Sequence, residues 1–258
     1  MSITSAITNG ITAGIVSGIT GGSAQYVPNA STFDGTDSLL YSFFETDQIN
    51  GIDYSGSFWI KPTNFTSSAL IYTKTVNYKD VGGQVRFNLV RDTLGRISVE
   101  IEDVNNGTGY RFNSVGSMTV GVWNHVFFTI SGGLEGFDGI KINGTTQSLT
   151  VTRNNLIIQD VCVKQGDATV GSGTAASLAD IWITNNAMED FEGSFAFFIT
   201  GGKPRNLGSD GTATGMGQPD VWLNKVTASF NQNGGSLGSP FTISGTLVST
   251  TGPTGYLS

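Results

Sequence analysis

Short runs of alternating apolar and polar residues, separated by clusters of Gly, Asn, Ser and Thr, make up most of this chain. The clearest run spans Gly121 to Thr146. Val126, Phe128 and Ile130 are apolar at period two with Trp123 just ahead, and Ile140 and Ile142 alternate in the same way. Asn143-Gly144 is a two-residue hairpin signal. The segment predicts two strands joined by a loop. Residues 57–62 predict another strand, with Phe58 and Ile60 on one face and Trp59 on the other. Pro62 ends it, because proline has no amide to donate. Further strands are predicted over 69–73, 84–90, 96–102, 110–113 and 177–184, and residues 241–248 alternate like one more. A short helix is predicted over 186–192. Ile157 to Val163, around the single cysteine Cys162, also reads as strand, with the thiol as a small buried hydrophobe.

A different regularity opens the chain. Residues 3–22 divide as I-T-S-A, I-T-N-G, I-T-A-G, I-V-S-G and I-T-G-G, with Ile3, Ile7, Ile11, Ile15 and Ile19 in register. On a helix a repeat of four overshoots the turn by about 40° per unit, so the isoleucines would wind around it. In extended chain the even period puts all five on one face. A single copy cannot bury that row, so residues 1–24 are expected to be an assembly arm that docks on sister arms or on a larger particle; the alternative is a flexible leader, and the Gly-x-x-x-Gly spacing of a membrane-helix dimer is interrupted too often by Ser, Thr and Asn. Residues 25–258 are then the folded part, with a core of about 30–190 and an extension of about 191–258.

Composition narrows the classes. Charged residues are 13% of the chain, about half the usual share, whereas surface helices are normally rich in Lys and Glu. The formal charge of −7 opposes a phosphate backbone, so no nucleic acid partner is expected. No Lys or Arg precedes Lys61, so no secretory signal is expected, and no run of about 18 apolar residues predicts membrane insertion. One cysteine permits no intrachain disulfide. These features predict an all-β fold held by its hydrophobic core.

Several segments resemble laminin G-like, concanavalin A-like domains. They are Phe33-Asp34-Gly35 with Ser38, the run Ser57-Phe58-Trp59-Ile60-Lys61-Pro62, the Trp123…His125-Val126…Thr129 signature with Asn143-Gly144, and the closing run ending in Asp180-Ile181-Trp182-Ile183. Their order implies a jelly-roll β-sandwich over about 30–190. The run Phe198-Ile199-Thr200-Gly201-Gly202-Lys203-Pro204-Arg205-Asn206-Leu207-Gly208-Ser209-Asp210-Gly211, with the segments to residue 247, resembles the tail of such domains in proteins of tailed bacteriophages. That resemblance implies a virion protein, made in the host cytoplasm and contacting other virion proteins through its arm.

The candidate chemistry is sparse. Glu100 and Glu102 share one face of a strand, roughly 6.5–7 Å apart along it, near the spacing of glycosidase carboxylates. Related glucanases carry an E-x-D-x-E pattern, whereas here Val104 holds the last place, so the pair is expected to line a solvent-facing strand. His125 is the only histidine and is expected to be structural, beside a tryptophan. Asp34, Asp37 and Asp180 are the candidates for calcium, which some domains of this kind bind; no other cofactor is expected. Tyr78, Asn105, Asn106 and Tyr110 are the candidates for carbohydrate, because sugars stack on exposed rings and bond to amides. Trp59, Trp123 and Trp182 are expected in the core.

The leading expectation is therefore a non-enzymatic virion structural or decoration protein. It would be anchored to capsid or tail by its arm and would display a lectin-like sandwich, as a homo-oligomer such as a trimer. The alternative is a receptor-binding adhesin of a tail or head fibre that holds host glycan. An enzyme acting on glycans is the third class.

Overall fold

The computed structural model describes residues 25–44, 53–77, 84–131, 138–155, 165–188, 190–212, 215, 217–224, 230–238 and 240–256. Among these are eighteen strands and one helix: sixteen strands form a sandwich of two antiparallel sheets, and the other two, Ile199–Thr200 and Lys203–Pro204, pair with each other apart from it. The strands are β1 (Ala30–Asp34), β2 (Ser38–Phe44), β3 (Asp53–Pro62), β4 (Ala69–Asn77), β5 (Gln84–Arg91), β6 (Ile97–Asp103), β7 (Thr108–Ser114), β8 (Asn124–Ser131) and β9 (Gly139–Ile142), followed by β10 (Thr145–Thr146), β11 (Leu149–Asn154), β12 (Gln165–Val170), β13 (Ala175–Thr184), β14 (Ile199–Thr200), β15 (Lys203–Pro204), β16 (Val221–Leu223), β17 (Thr242–Ser244) and β18 (Val248–Thr250). Sheet I runs β10-β9-β8-β3-β13-β1-β18, with β16 also on β13, and sheet II runs β11-β7-β6-β5-β4-β12-β2-β17.

The period-two runs become these strands for the expected reason. In β6, Ile97, Val99 and Ile101 are buried, and Glu100 and Glu102 are only partly covered on the other face. Phe58, Ile60, Val126, Phe128 and Ile130 of sheet I meet Phe87, Leu89, Val99 and Phe112 of sheet II in one core. Tyr54, Phe87 and Phe128 stack through its middle. Packing there is close enough to require a glycine at position 56, where a Cβ would stand 2.6 Å from the Phe128 ring. The β9–β10 turn has positive φ at both Asn143 and Gly144, as a two-residue type I′ turn whose twist matches that of its strands demands. Pro62 is the last residue of β3.

Three expectations change. The helix, α1, spans Phe191–Phe198 rather than 186–192, because the Asp190 carboxylate caps it by accepting from Gly193 N. Residues 241–248 do not form one strand: β17 adds to sheet II, the chain crosses, and β18 adds to sheet I. Trp123 lies just before β8 and is half-buried rather than a core strand residue. The isoleucines of the arm, Ile3, Ile7, Ile11, Ile15 and Ile19, lie outside the described residues, as do Tyr78 and Cys162.

Sheet I is covered on both faces. Every residue of β8 is buried, with Phe127 on the side away from sheet II. There Phe127, Trp59, Trp182, Ala30 and Ala179 pack under Met188, Phe198, Ile199, Leu207 and Trp222 of the extension. Lys141 fastens the helix to β9. Its Nζ lies 2.8 Å from Glu192, beneath the Phe191 and Phe195 rings. The extension is thus a third layer on sheet I, and among the described residues the outer face of sheet II is left partly open.

Candidate functional site

Strand alternation gives that open face its chemistry. Two registered rows cross it. One runs Arg111, Glu100, Asn88, Thr73, Thr169, Leu40, and the other Glu102, Arg86, Thr75, Asp167, Ser42. Their side chains are tied laterally. Thr73 Oγ1 donates to Asn88 Oδ1 at 2.9 Å, Arg111 Nε to Ser98 Oγ at 2.8 Å, and Ser42 Oγ to Asp167 Oδ1 at 2.5 Å. The result is a polar surface whose side chains are held in place by their neighbours on adjacent strands.

Glu100 and Glu102 sit in it side by side, as their spacing requires. Arg153, reaching over from β11, lies 3.3 Å from Glu100 Oε1 and 3.1 Å from Glu102 Oε1, and Arg86 approaches Glu102 at 3.9 Å. One guanidinium therefore bridges both carboxylates. Sugar hydrolysis by such a pair needs one carboxyl to deliver a proton and the other to face the sugar or a water across an open gap. Here the gap is filled by Arg153.

The carbohydrate candidates do not converge. Asn105 and Asn106 lie exposed in the β6–β7 turn, but their polar atoms build that turn. The buried Asp103 carboxylate accepts from both backbone amides and from Asn106 Nδ2, and Asn105 Oδ1 accepts from Gln84 N at 3.1 Å. Tyr110 is turned the other way. It is 7% exposed, packs on Phe112 and donates to Asp138 Oδ2 at 2.5 Å, and burial first, with that carboxylate, raises its phenol above the usual range. An exposed stacking ring at Tyr110 is therefore corrected to a core contact between the sheets.

The calcium candidates do not fit a shared ion. Asp34 and Asp37 share the β1–β2 turn. Asp34 Oδ1 accepts from Thr36 N and Thr36 Oγ1, both at 2.7 Å, and the Thr36 bonds hold its carboxyl below the usual range. Asp37 accepts from Asp34 N and from Thr246 N, tying the turn to the C-terminal segment. Asp180 lies beyond the other end of β1, since Ala30 pairs with Ala179 and Asp34 with Ala175. Among the described residues no group of three or more His, Cys, Asp or Glu is placed to hold a metal.

Asp180 has a structural cause of its own. It stands where β13 changes neighbour from β1 to β16, at a register shift against β3, and its φ is +46°. It is buried, which raises its carboxyl well above the usual range, and it accepts a 3.0 Å bond from Tyr26. His125 is buried opposite Trp59, with ring centroids 5.0 Å apart, and burial pushes its imidazole down to about 3. Its Nε2 lies 2.8 Å from Ser57 Oγ, and Nδ1 is buried without a partner, so no carboxylate completes a relay. Sequence reasoning overlooked the polar rows around Asn88 and Arg111. Their signal was the alternation of β5 and β7 themselves, each polar residue following an apolar one.

Residues 33–192 match the family described as the Concanavalin A-like lectin/glucanases superfamily. No curated protein matches the chain. Three solved structures are similar at low identity. The heptameric SAP-like pentraxin of Limulus polyphemus is 14% identical, with TM-score 0.42, over 64% of this chain and 80% of that one. Domains LG4-5 of the mouse laminin α1 chain are 14% identical, with TM-score 0.41, over 63% of this chain and 43% of that one. The CBM40 module of the Ruminococcus gnavus IT-sialidase, bound to α2,3-sialyllactose, is 12% identical, with TM-score 0.37, over 58% of this chain and 92% of that one.

Proposed function

Because the chain belongs to the concanavalin A-like lectin/glucanase superfamily, we propose that it is a non-enzymatic display module of a bacteriophage virion, anchored through residues 1–24 and presenting the open face of sheet II. The observation that supports this reading is that residues 25–29, where the described chain begins, and the polar rows lie on opposite sides. Residues 25–29 are bound on the covered side: Tyr26 to Asp180 of sheet I, Asn29 to the Asn224 carbonyl, and Gln25 to the Thr254 carbonyl. The polar rows lie on the outer face of the other sheet, away from the described residues of the extension layered on sheet I. An anchor joined to residue 25 would hold the domain by the side of sheet I and turn sheet II outward.

The phage setting draws its support from the run Phe198 to Gly211, which resembles the tail of phage-encoded domains, and from the repeat that precedes the fold. The virion is the proposed location, reached from the host cytoplasm. The test is electron microscopy of particles of the encoding phage with antibody against residues 25–258. Labelling of intact capsids or tails is expected, and particles that carry no label would overturn the virion reading.

A second reading, host glycan binding by the same face, is favoured by the partly exposed Thr73 and Arg111, which the buried Asn88 and Ser98 hold in fixed positions toward a polyol. It predicts binding to host polysaccharide that weakens at least fivefold on Asn88→Ala and is unchanged on Tyr110→Phe.

A further inference from the structure

Sheet edges are normally guarded against strand addition by charge, proline, bulges or shortness. Three edges here are guarded. The edge strand β11 carries Arg153 and a register shift between Val151 and Arg153. β10 has two residues, and β17 follows Pro240. The edge at β18 differs. It lies in the run Thr246-Leu247-Val248-Ser249-Thr250-Thr251, which has neither charge nor proline. Among the described residues β18 pairs with β1 alone, and Val248 on it is 58% exposed. The chain enters the domain beside this edge: Ala30 pairs with Thr250, and Gln25 bonds to the Thr254 carbonyl.

We propose that the free edge of β18 accepts the N-terminal arm of a second copy of this chain as an added strand, its isoleucines laid beside Val248. This rests on the reading of residues 1–24 as an assembly arm. Backbone amides and carbonyls of β18 supply the bonds, and the even repeat supplies an apolar face of matching period. The arm's twenty repeat residues would extend over roughly 65 Å, whereas β18 offers about 10 Å. The edge therefore holds only part of the row, and the rest is buried where arms from several copies meet. Residues 25–29 lead into β1, which occupies the other side of β18, so the free edge is left for the arm of a neighbour. The contact is head-to-tail, so it closes into a ring when the rotation between copies permits.

The experiment is light-scattering mass of the full chain, of residues 25–258, and of full-length Val248→Lys and Ser249→Asp, with amide exchange of residues 248–250 at high and low concentration. The inference expects an oligomeric full chain, a monomeric 25–258, association at least tenfold weaker in both variants, and slower exchange of those amides at high concentration. Variants that assemble like the parent, with exchange at 248–250 independent of concentration, would overturn the edge while leaving the arm in place. A full chain that is monomeric throughout would overturn docking between copies, and attachment to a different particle protein would remain.

Discussion

Lys74 lies in the core-facing row of β4, 1% exposed, and its Nζ donates to Asp220 Oδ2 at 3.2 Å. The contact joins the middle of sheet II to the segment just before β16, so the extension is bolted into the sandwich as well as laid over it. The two partners are unequal, because the Asp220 side chain is 18% exposed and also lies 3.4 Å from Ser236 Oγ. Deleting one member of a buried pair is costly in proportion to the burial of the charge left behind. Asp220→Ala should cost about 3 kcal/mol and Lys74→Met about 1 kcal/mol. Urea unfolding of both variants checks this, and equal losses would mean that Lys74 does not depend on Asp220.

The sandwich was legible because its signal is local. Alternation over a strand, Pro62 at a strand end and Asn143-Gly144 at a hairpin each act within a few residues. The third layer was less so, although its mark was present. Trp59 stands between Phe58 and Ile60, Phe127 between Val126 and Phe128, and Trp182 between Ile181 and Ile183. A sheet wetted on one face would carry polar residues at those places; continuous apolar runs mean cover on both. What supplies the cover depends on contacts far along the chain, such as Trp182 with Phe198 and Phe127 with Phe191. The candidate ligand residues failed for a related reason. Whether Tyr110 faces outward is set by its pairing with Ile101, a parity that one residue of register reverses.

His125 gives the fold an acid-side liability. The unfolded chain takes up the imidazole proton near pH 6.5 and the folded chain only near 3, so the unfolded state binds more protons between those values. The stability held above pH 6.5 is therefore lost as pH falls, at about 1.4 kcal/mol per unit. His125→Gln removes this term and keeps a polar partner for Ser57. Between pH 7 and pH 5 its stability should fall about 2 kcal/mol less than that of the parent. Parallel pH profiles for the two proteins would show that the ring is protonated in the fold.

Asp180 works in the opposite sense. Its carboxyl is raised by burial, so the folded state holds a proton that the unfolded chain has released, and stability declines as pH rises from about 4 through the folded value. Asn at this place keeps an acceptor for Tyr26 and tolerates the left-handed backbone, without a charge to bury. Asp180→Asn should be more stable than the parent at pH 8 by at least about 1 kcal/mol, with the gap closing near pH 4. Asp180→Ala, which loses both the acceptor and the backbone tolerance, should be less stable at pH 4. Melting curves of the three proteins at the two pH values decide it, and an Asn variant without advantage at pH 8 would show that the buried carboxylate is fully compensated.

The bridge from Arg153 to Glu100 and Glu102 separates a display surface from a hydrolytic one. The guanidinium is 33% exposed, and ion pairs of that kind contribute about 0.2–1 kcal/mol once solvent screening is counted. Replacing both glutamates by glutamine removes both charges from the face while keeping its shape and its hydrogen-bonding atoms. The double variant should therefore unfold within about 1 kcal/mol of the parent. If the face only binds, polysaccharide incubated with either protein should release no shorter chains, whether Arg153 is present or replaced by alanine. Release of reducing ends by the parent that disappears in the double glutamine variant would mean that Arg153 swings away to uncover a working carboxylate pair, and the non-enzymatic reading would fall.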